Sequence, residues 1–131
     1  MSKPTILCVD DEMVILKSLR TQLKAAFGDK YSYEIAEDPE EALEVIDELT
    51  DEGSNVIIIV SDWLMPKMKG DDFLIQVHQR FPGVIKLMLT GQADERAIER
   101  AKSEANLYSC ISKPWSEGEL IETIKSALGK L

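Results

Sequence analysis

The chain has 131 residues, of which 44% are hydrophobic and 30% charged, and its formal charge is −9, from 24 acids against 15 bases. That length suits one domain, 1–131, and the composition is that of a folded chain rather than a disordered one. The acidic balance argues against a direct nucleic-acid surface, which needs clustered Lys and Arg, and against an anionic membrane; its plain reading is a solvated acidic surface.

In chain order, a β-type run Thr5-Ile6-Leu7-Cys8-Val9 comes first. A helix from about Glu12 to Phe27 follows, with Leu16, Leu19, Leu23 and Phe27 on one face and Gly28 at its end. A second run covers Tyr31 to Ala36. Asp38-Pro39-Glu40-Glu41 then opens a helix with an N-cap acid, a proline at the first position and a capping-box Glu. Its inward stripe is Ala42, Val45, Ile46 and Leu49. The third run, Val56 to Val60, is the most apolar. Beyond Pro66 and Gly70 a helix is expected from about Asp71 to Phe81, stopped by Pro82-Gly83. The fourth run is Val84 to Leu89, with a helix from about Asp94 to Ala105; the fifth is Leu107 to Ile111. A last helix starts at Ser116, has Glu119 three residues on and carries Leu120, Ile121, Ile124 and Leu128.

Alternating strands and helices call for a parallel sheet with helices on both faces. Runs one, three and four are nearly all apolar, as strands buried on both faces are. Runs two and five alternate with polar residues and read as edges. This fits a doubly wound, flavodoxin-like five-stranded sheet in the order 2-1-3-4-5, whose switch point lies between strands one and three. Ligands of such sheets bind there, beyond the carboxyl ends. Cys8 and Cys110 sit in apolar stretches with no metal-ligand or disulfide spacing, and read as core hydrophobes in a reducing compartment. No signal peptide or membrane-length apolar run is seen, so a cytoplasmic location is expected.

Polar residues of chemical interest gather at the expected carboxyl ends: Asp10, Asp11 and Glu12 after run one, Asp62 after run three, Thr90-Gly91 after run four and Lys113-Pro114 after run five. Each alone has an ordinary explanation: Asp10 or Asp11 as a helix cap, Asp62 as a turn residue, Lys113 as a surface charge. Convergence of all of them on one crevice is harder to explain that way. Neighbouring carboxylates repel unless a cation joins them, and oxygen ligands without His or Cys suit Mg²⁺ rather than zinc. A carboxylate facing Mg²⁺, an ammonium and a hydroxyl has what an aspartyl nucleophile for phosphoryl transfer requires.

Asp10-Asp11, Asp62-x-x-Met65-Pro66-x-Met68-x-Gly70, Thr90-Gly91 and Lys113-Pro114 together resemble the receiver domain of two-component response regulators, over essentially the whole chain. The resemblance implies a phosphorelay signalling module rather than an enzyme in the ordinary sense, one that assists its own phosphorylation and dephosphorylation. It makes Asp62 the phosphoacceptor, with Asp11 and Asp62 binding Mg²⁺ directly, Asp10 mainly through water and the Leu64 carbonyl as a further ligand. Lys113 pairs with the acceptor and then with the phosphoryl group, Thr90 hydrogen-bonds that group, and the Lys113-Pro114 bond is expected to be cis. The implied donor is a sensor histidine kinase or a histidine phosphotransfer protein. The implied output face is the fourth helix, fifth strand and fifth helix, with a homodimer as one use of it.

Three departures from the family pattern stand out. Cys110 occupies the position of an aromatic switch residue, and strand alternation places Tyr108 on its side as a substitute. Leu64 and Gln92 fall where the family tunes phosphoryl lifetime. No output domain is expected after the last helix. Three alternatives stay open at this point: an aspartyl-phosphate phosphatase, which usually carries Asp-x-Asp after its first strand; a nucleotide- or flavin-binding module, for which no phosphate loop is seen; and a degenerate receiver acting only as a surface. His78 reads as a surface or half-buried residue, Trp115 as an anchor of the last helix, and Met65 and Met68 as loop packing. The stretch Tyr108-x-x-Ile-Ser-Lys-Pro-Trp is similar to receivers that precede signalling-nucleotide hydrolase or ATPase domains.

Overall fold

A computed structural model describes residues 3–91 and 95–131. The elements are β1 (Thr5–Val9), α1 (Met13–Phe27), a single 3-10 turn (Gly28–Lys30), β2 (Ser32–Ala36), α2 (Pro39–Asp51), β3 (Val56–Asp62), α3 (Gly70–Arg80), β4 (Ile85–Thr90), α4 (Glu95–Glu104), β5 (Ser109–Ser112) and α5 (Glu117–Leu128). All sheet pairings are parallel, and the order is β2-β1-β3-β4-β5, as the run compositions imply. The expected start of the fourth helix at Asp94, and Gln92, lie outside the described residues.

Helix starts follow local chemistry. Asp38 Oδ1 accepts the Glu41 N–H at 2.8 Å, with Pro39 as the first residue of α2. Ser116 Oγ accepts the Glu119 N–H at 3.0 Å at the head of α5. Each bond satisfies one of the donors that a helix leaves unpaired. Gly28 ends α1 with a φ of 63°, a left-handed value that suits a residue without Cβ.

The sheet separates two apolar layers. On one face, β1, β3 and β4 present Leu7, Val9, Ile59 and Met88 to Ala42 and Ile46 of α2, Phe73, Leu74 and Val77 of α3, and Ala101 of α4. On the other, Ile6, Cys8, Ile58, Val60 and Leu87 meet Leu16, Leu19 and Leu23 of α1 and Leu120 and Ile124 of α5. Burial of each Leu, Ile, Val, Met or Phe among them contributes about 1.5–3 kcal/mol before chain entropy is subtracted. Burial pushes the Cys8 thiol up to about 12, consistent with a core hydrophobe.

Three details depart from the sequence reading. β3 and β4 run on to Asp62 and Thr90, so these residues end their strands instead of following them; the Trp63 N–H to Leu89 carbonyl bond, 2.9 Å, carries the ladder that far. β5 begins only at Ser109, so alternation does not reach back to Tyr108. Cys110 packs against the α2–α3–α4 layer, whereas Tyr108 packs on the α1–α5 side with its hydroxyl 2.6 Å from Ser126 Oγ. Tyr108 and Cys110 therefore do not share a face. Finally, the nearly apolar fourth run contains Lys86, which is 1% exposed and donates its ammonium to the Val84 carbonyl at 2.7 Å. Burial lowers its pKa to about 8.

Candidate functional site

Parallel strands deliver their last residues to one edge. Here that edge collects Asp10 and Asp11 beyond β1, Asp62 at the end of β3, Thr90 at the end of β4 and Lys113 beyond β5. They surround a cleft of about 520 Å³ lined by Asp11, Asp62, Thr90 and Lys113 together with the β3–α3 loop. Leu64 lines it too, with its side chain 56% exposed.

Asp10 lies beneath the cleft with no exposure. Its Oδ1 accepts the Glu12 N–H at 2.9 Å and its Oδ2 accepts the Lys113 ammonium at 3.0 Å. Glu12 is the N-cap of α1 and no side chain caps that helix, so Asp10 does not take the expected capping role; its Oδ1 bond reaches only the N-cap residue itself. Lys113 Nζ is also 3.0 Å from Asp62 Oδ1 and bridges the two acids. The Lys113–Pro114 peptide is cis, as the resemblance implied. The Lys113 N–H bonds the Thr90 carbonyl at 2.9 Å, which fixes the loop beyond β5 against the end of β4.

Ligand oxygens of Asp10, Asp11 and Asp62 all lie within 4.8 Å of one another. Asp62 is 5% exposed, and its carboxyl is held above the usual range: burial raises it most, Asp10 and Asp11 raise it further, and Lys113 opposes them. For Lys113, burial pulls the pKa down, but its hydrogen bonds to Asp62 and Asp10 outweigh that and the net direction is up. Three carboxylates against one ammonium leave an excess of negative charge, which one divalent cation would cancel. The donors are hard oxygens, as Mg²⁺ prefers, and two oxygens bound to one Mg²⁺ stand at most about 4.2 Å apart. The cluster is compatible with such an ion, held by the carboxylates directly or with one of them acting through water.

The β3–α3 loop is closed at its base. The Gly70 N–H donates to the Trp63 carbonyl at 2.7 Å. A Cβ on Gly70 would collide with the Asp62 carbonyl and stand 2.8 Å from Trp63 Cα. Only glycine permits this approach, whereas a Cβ on Gly91 would meet nothing nearer than Lys113 Cβ at 3.9 Å. Met65 is buried and Met68 half-buried in this loop, in agreement with a packing role.

The model of the response regulator receiver domain family matches residues 6–125. The chain belongs to that family. The hydrogenase transcriptional regulatory protein HoxA of Bradyrhizobium diazoefficiens is 33% identical over 124 residues, which are 95% of this chain and 24% of that protein. Chemotaxis protein CheY1 of Helicobacter pylori strain J99 is 26% identical over 95% of this chain and 96% of its own length. Among solved structures, the signal receiver domain of an HD domain-containing protein from Pseudomonas fluorescens Pf-5 aligns with a TM-score of 0.84 at 32% identity, covering 98% of this chain and 96% of that one. A CheY-like receiver domain from Methanospirillum hungatei aligns at 0.85 and 31%, with the same coverage. The chain spans about a quarter or less of the two HoxA proteins that it matches. The receiver domain is a two-component signalling module, and its acidic cluster at Asp10, Asp11 and Asp62 fits a phosphoacceptor site compatible with a divalent metal. No helix among the described residues is long and apolar enough to cross a membrane.

Sequence reasoning missed two nearby groups. Trp63 Nε1 donates to Asp71 Oδ1 at 3.2 Å, and the Lys69 ammonium lies 5.0 Å from the centre of the Trp63 ring. The sequence marks Asp71 only as the start of the third helix; a spacing of eight residues across a loop carries no periodic signal. Trp115, read as an anchor, donates Nε1–H to Gln22 Oε1 at 3.0 Å and so ties the head of α5 to α1.

Proposed function

We propose that Asp62 is the phosphoacceptor of a single receiver domain spanning residues 1–131, acting with Mg²⁺ held by Asp11, Asp62 and the Leu64 carbonyl, with Asp10 linked through water. The observation that carries this reading is the Lys113 ammonium 3.0 Å from both Asp10 and Asp62, with Asp62 facing the cleft and Asp10 closed off below it. An Asp62 carboxylate oxygen attacks the phosphorus of a phosphohistidine. The phosphorus–nitrogen bond breaks, the histidine keeps that electron pair, and an acyl phosphate forms. The metal, when bound, offsets charge on the phosphoryl oxygens. Lys113 leaves Asp62 for the phosphoryl group while Asp10 retains it, and Thr90 donates its hydroxyl to the same group. Asp62 itself needs no general base.

The donor on this reading is a sensor histidine kinase or a histidine phosphotransfer protein in the cytoplasm. Phosphorylation biases a surface formed by α4, β5 and α5 toward a partner or a second copy. The chain accelerates its own phosphorylation and dephosphorylation but turns over no separate substrate. Intact mass after incubation with acetyl phosphate and Mg²⁺ tests the proposal. One added phosphoryl group is expected, absent in Asp62→Asn and absent when Mg²⁺ is chelated. Uptake by the Asp62→Asn protein, or none by the wild type with either acetyl phosphate or a phosphorylated histidine donor, refutes it.

A further inference from the structure

Trp63 forms part of the cleft wall, one residue beyond Asp62. Its indole N–H is held by Asp71 Oδ1, and the other oxygen of that carboxylate accepts from Arg100 Nη1 of α4 at 3.2 Å. The Asp71 side chain is only 9% exposed, so few waters compete for it. Arg100 is further engaged by Asp72 and by Glu104, the latter at 3.2 Å, and both of those acids face solvent. One nearly buried carboxylate therefore joins a wall of the site to a helix on the far side of α3.

Arg100 is 45% exposed, and a half-exposed ion pair adds little stability by itself. Geometry is what the arrangement fixes. With one oxygen on Trp63 and the other on Arg100, the carboxylate cannot follow a movement of the indole without changing its bond to α4. The Gly70–Trp63 backbone bond anchors the same loop at its base, so any movement of residue 63 falls to the indole and its bond to Asp71.

We infer that Asp71 is a positioning residue for the site, holding Trp63 against the cleft and, through Arg100, making the placement of α4 depend on what occupies the cleft. The inference rests on the proposed function for the identity of the occupant. Coupling of this kind is reciprocal: if occupancy changes the α4 contact, removal of the α4 contact changes occupancy by the same factor.

The test uses the whole chain, with Mg²⁺ and acetyl phosphate as the probes. Heteronuclear NMR follows the Trp63 indole resonance, assigned with a Trp115→Phe protein, during Mg²⁺ titration, and hydrogen exchange follows the α4 amides with and without both probes. In the wild type the probes are expected to shift the Trp63 resonance and change α4 exchange. Arg100→Ala, at a half-exposed position, is expected to fold, to lose the α4 response and to change the Mg²⁺ dissociation constant by about fivefold or more, a typical coupling. Arg100→Lys, which keeps the charge, is expected to restore part of both effects. Asp71→Asn keeps an oxygen for the indole but loses the charge facing Arg100, so it should behave like Arg100→Ala. If the wild type takes up phosphate by intact mass while Arg100→Ala shows the same α4 response and Mg²⁺ affinity as wild type, the inference falls and the proposed function stands. If the wild type binds neither Mg²⁺ nor phosphate, both fall together.

Discussion

Replacing Lys86 by methionine should stabilise the protein near neutral pH, and the gain should disappear as the solution becomes alkaline. Lys86 is 1% exposed, and its ammonium donates to the Val84 carbonyl at 2.7 Å. Burial lowers its pKa from 10.5 to about 8. A lysine depressed in this way carries no penalty above its unfolded pKa; the penalty grows as pH falls from the unfolded toward the folded pKa and is complete below the latter. At about 1.4 kcal/mol per pH unit, the interval between 10.5 and about 8 corresponds to roughly 3 kcal/mol by pH 7. Methionine keeps the length of the aliphatic stem but leaves the Val84 carbonyl without its donor, a loss of about 1 kcal/mol. The net expectation is a gain of about 2 kcal/mol at pH 7 that approaches zero near pH 10. Urea unfolding of both proteins across that range, read as midpoint times slope, measures it. The same charge contributes to the low pKa of His78, after burial, so Lys86→Met should also raise the histidine pKa in an NMR titration. A stability difference that stays constant between pH 7 and pH 10 refutes the reasoning.

Three further outcomes follow from the site. In metal-free solution Asp62→Asn should raise the melting temperature at pH 7. A carboxyl whose folded pKa is raised stabilises fully below its unfolded value and loses that contribution as pH rises through the folded one, so the advantage of Asn should shrink as pH falls toward 4. Saturating Mg²⁺ at about a hundred times its dissociation constant should stabilise the wild type by about 2.7 kcal/mol and leave Asp62→Asn unchanged in scanning calorimetry. Gly70→Ala forces its new methyl onto the Asp62 and Trp63 backbone, so a loss of about 1–3 kcal/mol in urea unfolding is expected. Slower phosphate uptake should accompany it, and unaltered kinetics would show that the Asp62 backbone does not need this packing.

The architecture was legible because strands buried on both faces and strands at an edge differ in composition, which puts two and five at the edges as the doubly wound order requires. The site was legible because parallel strands discharge their last residues at one edge, so Asp10, Asp62, Thr90 and Lys113 could be placed together without coordinates. Tyr108 was not legible: period-two alternation ends where the ladder ends, and β5 starts one residue too late to include it. Lys86 was hidden by its own chemistry, since four methylenes pack like a hydrophobe and only the ammonium must find an acceptor. Asp71 and Arg100 meet across two helices, and no sequence interval encodes that meeting.

The closed base of the β3–α3 loop separates what must stay fixed from what is free to diversify. Residues 62, 63 and 70 are locked to one another by backbone contacts, yet between them Leu64 and Lys67 project outward at the rim. Side chains on that tip can be exchanged without breaking the backbone contacts that seat Asp62. The rim of the cleft can therefore differ in sequence while the backbone beneath it keeps its place.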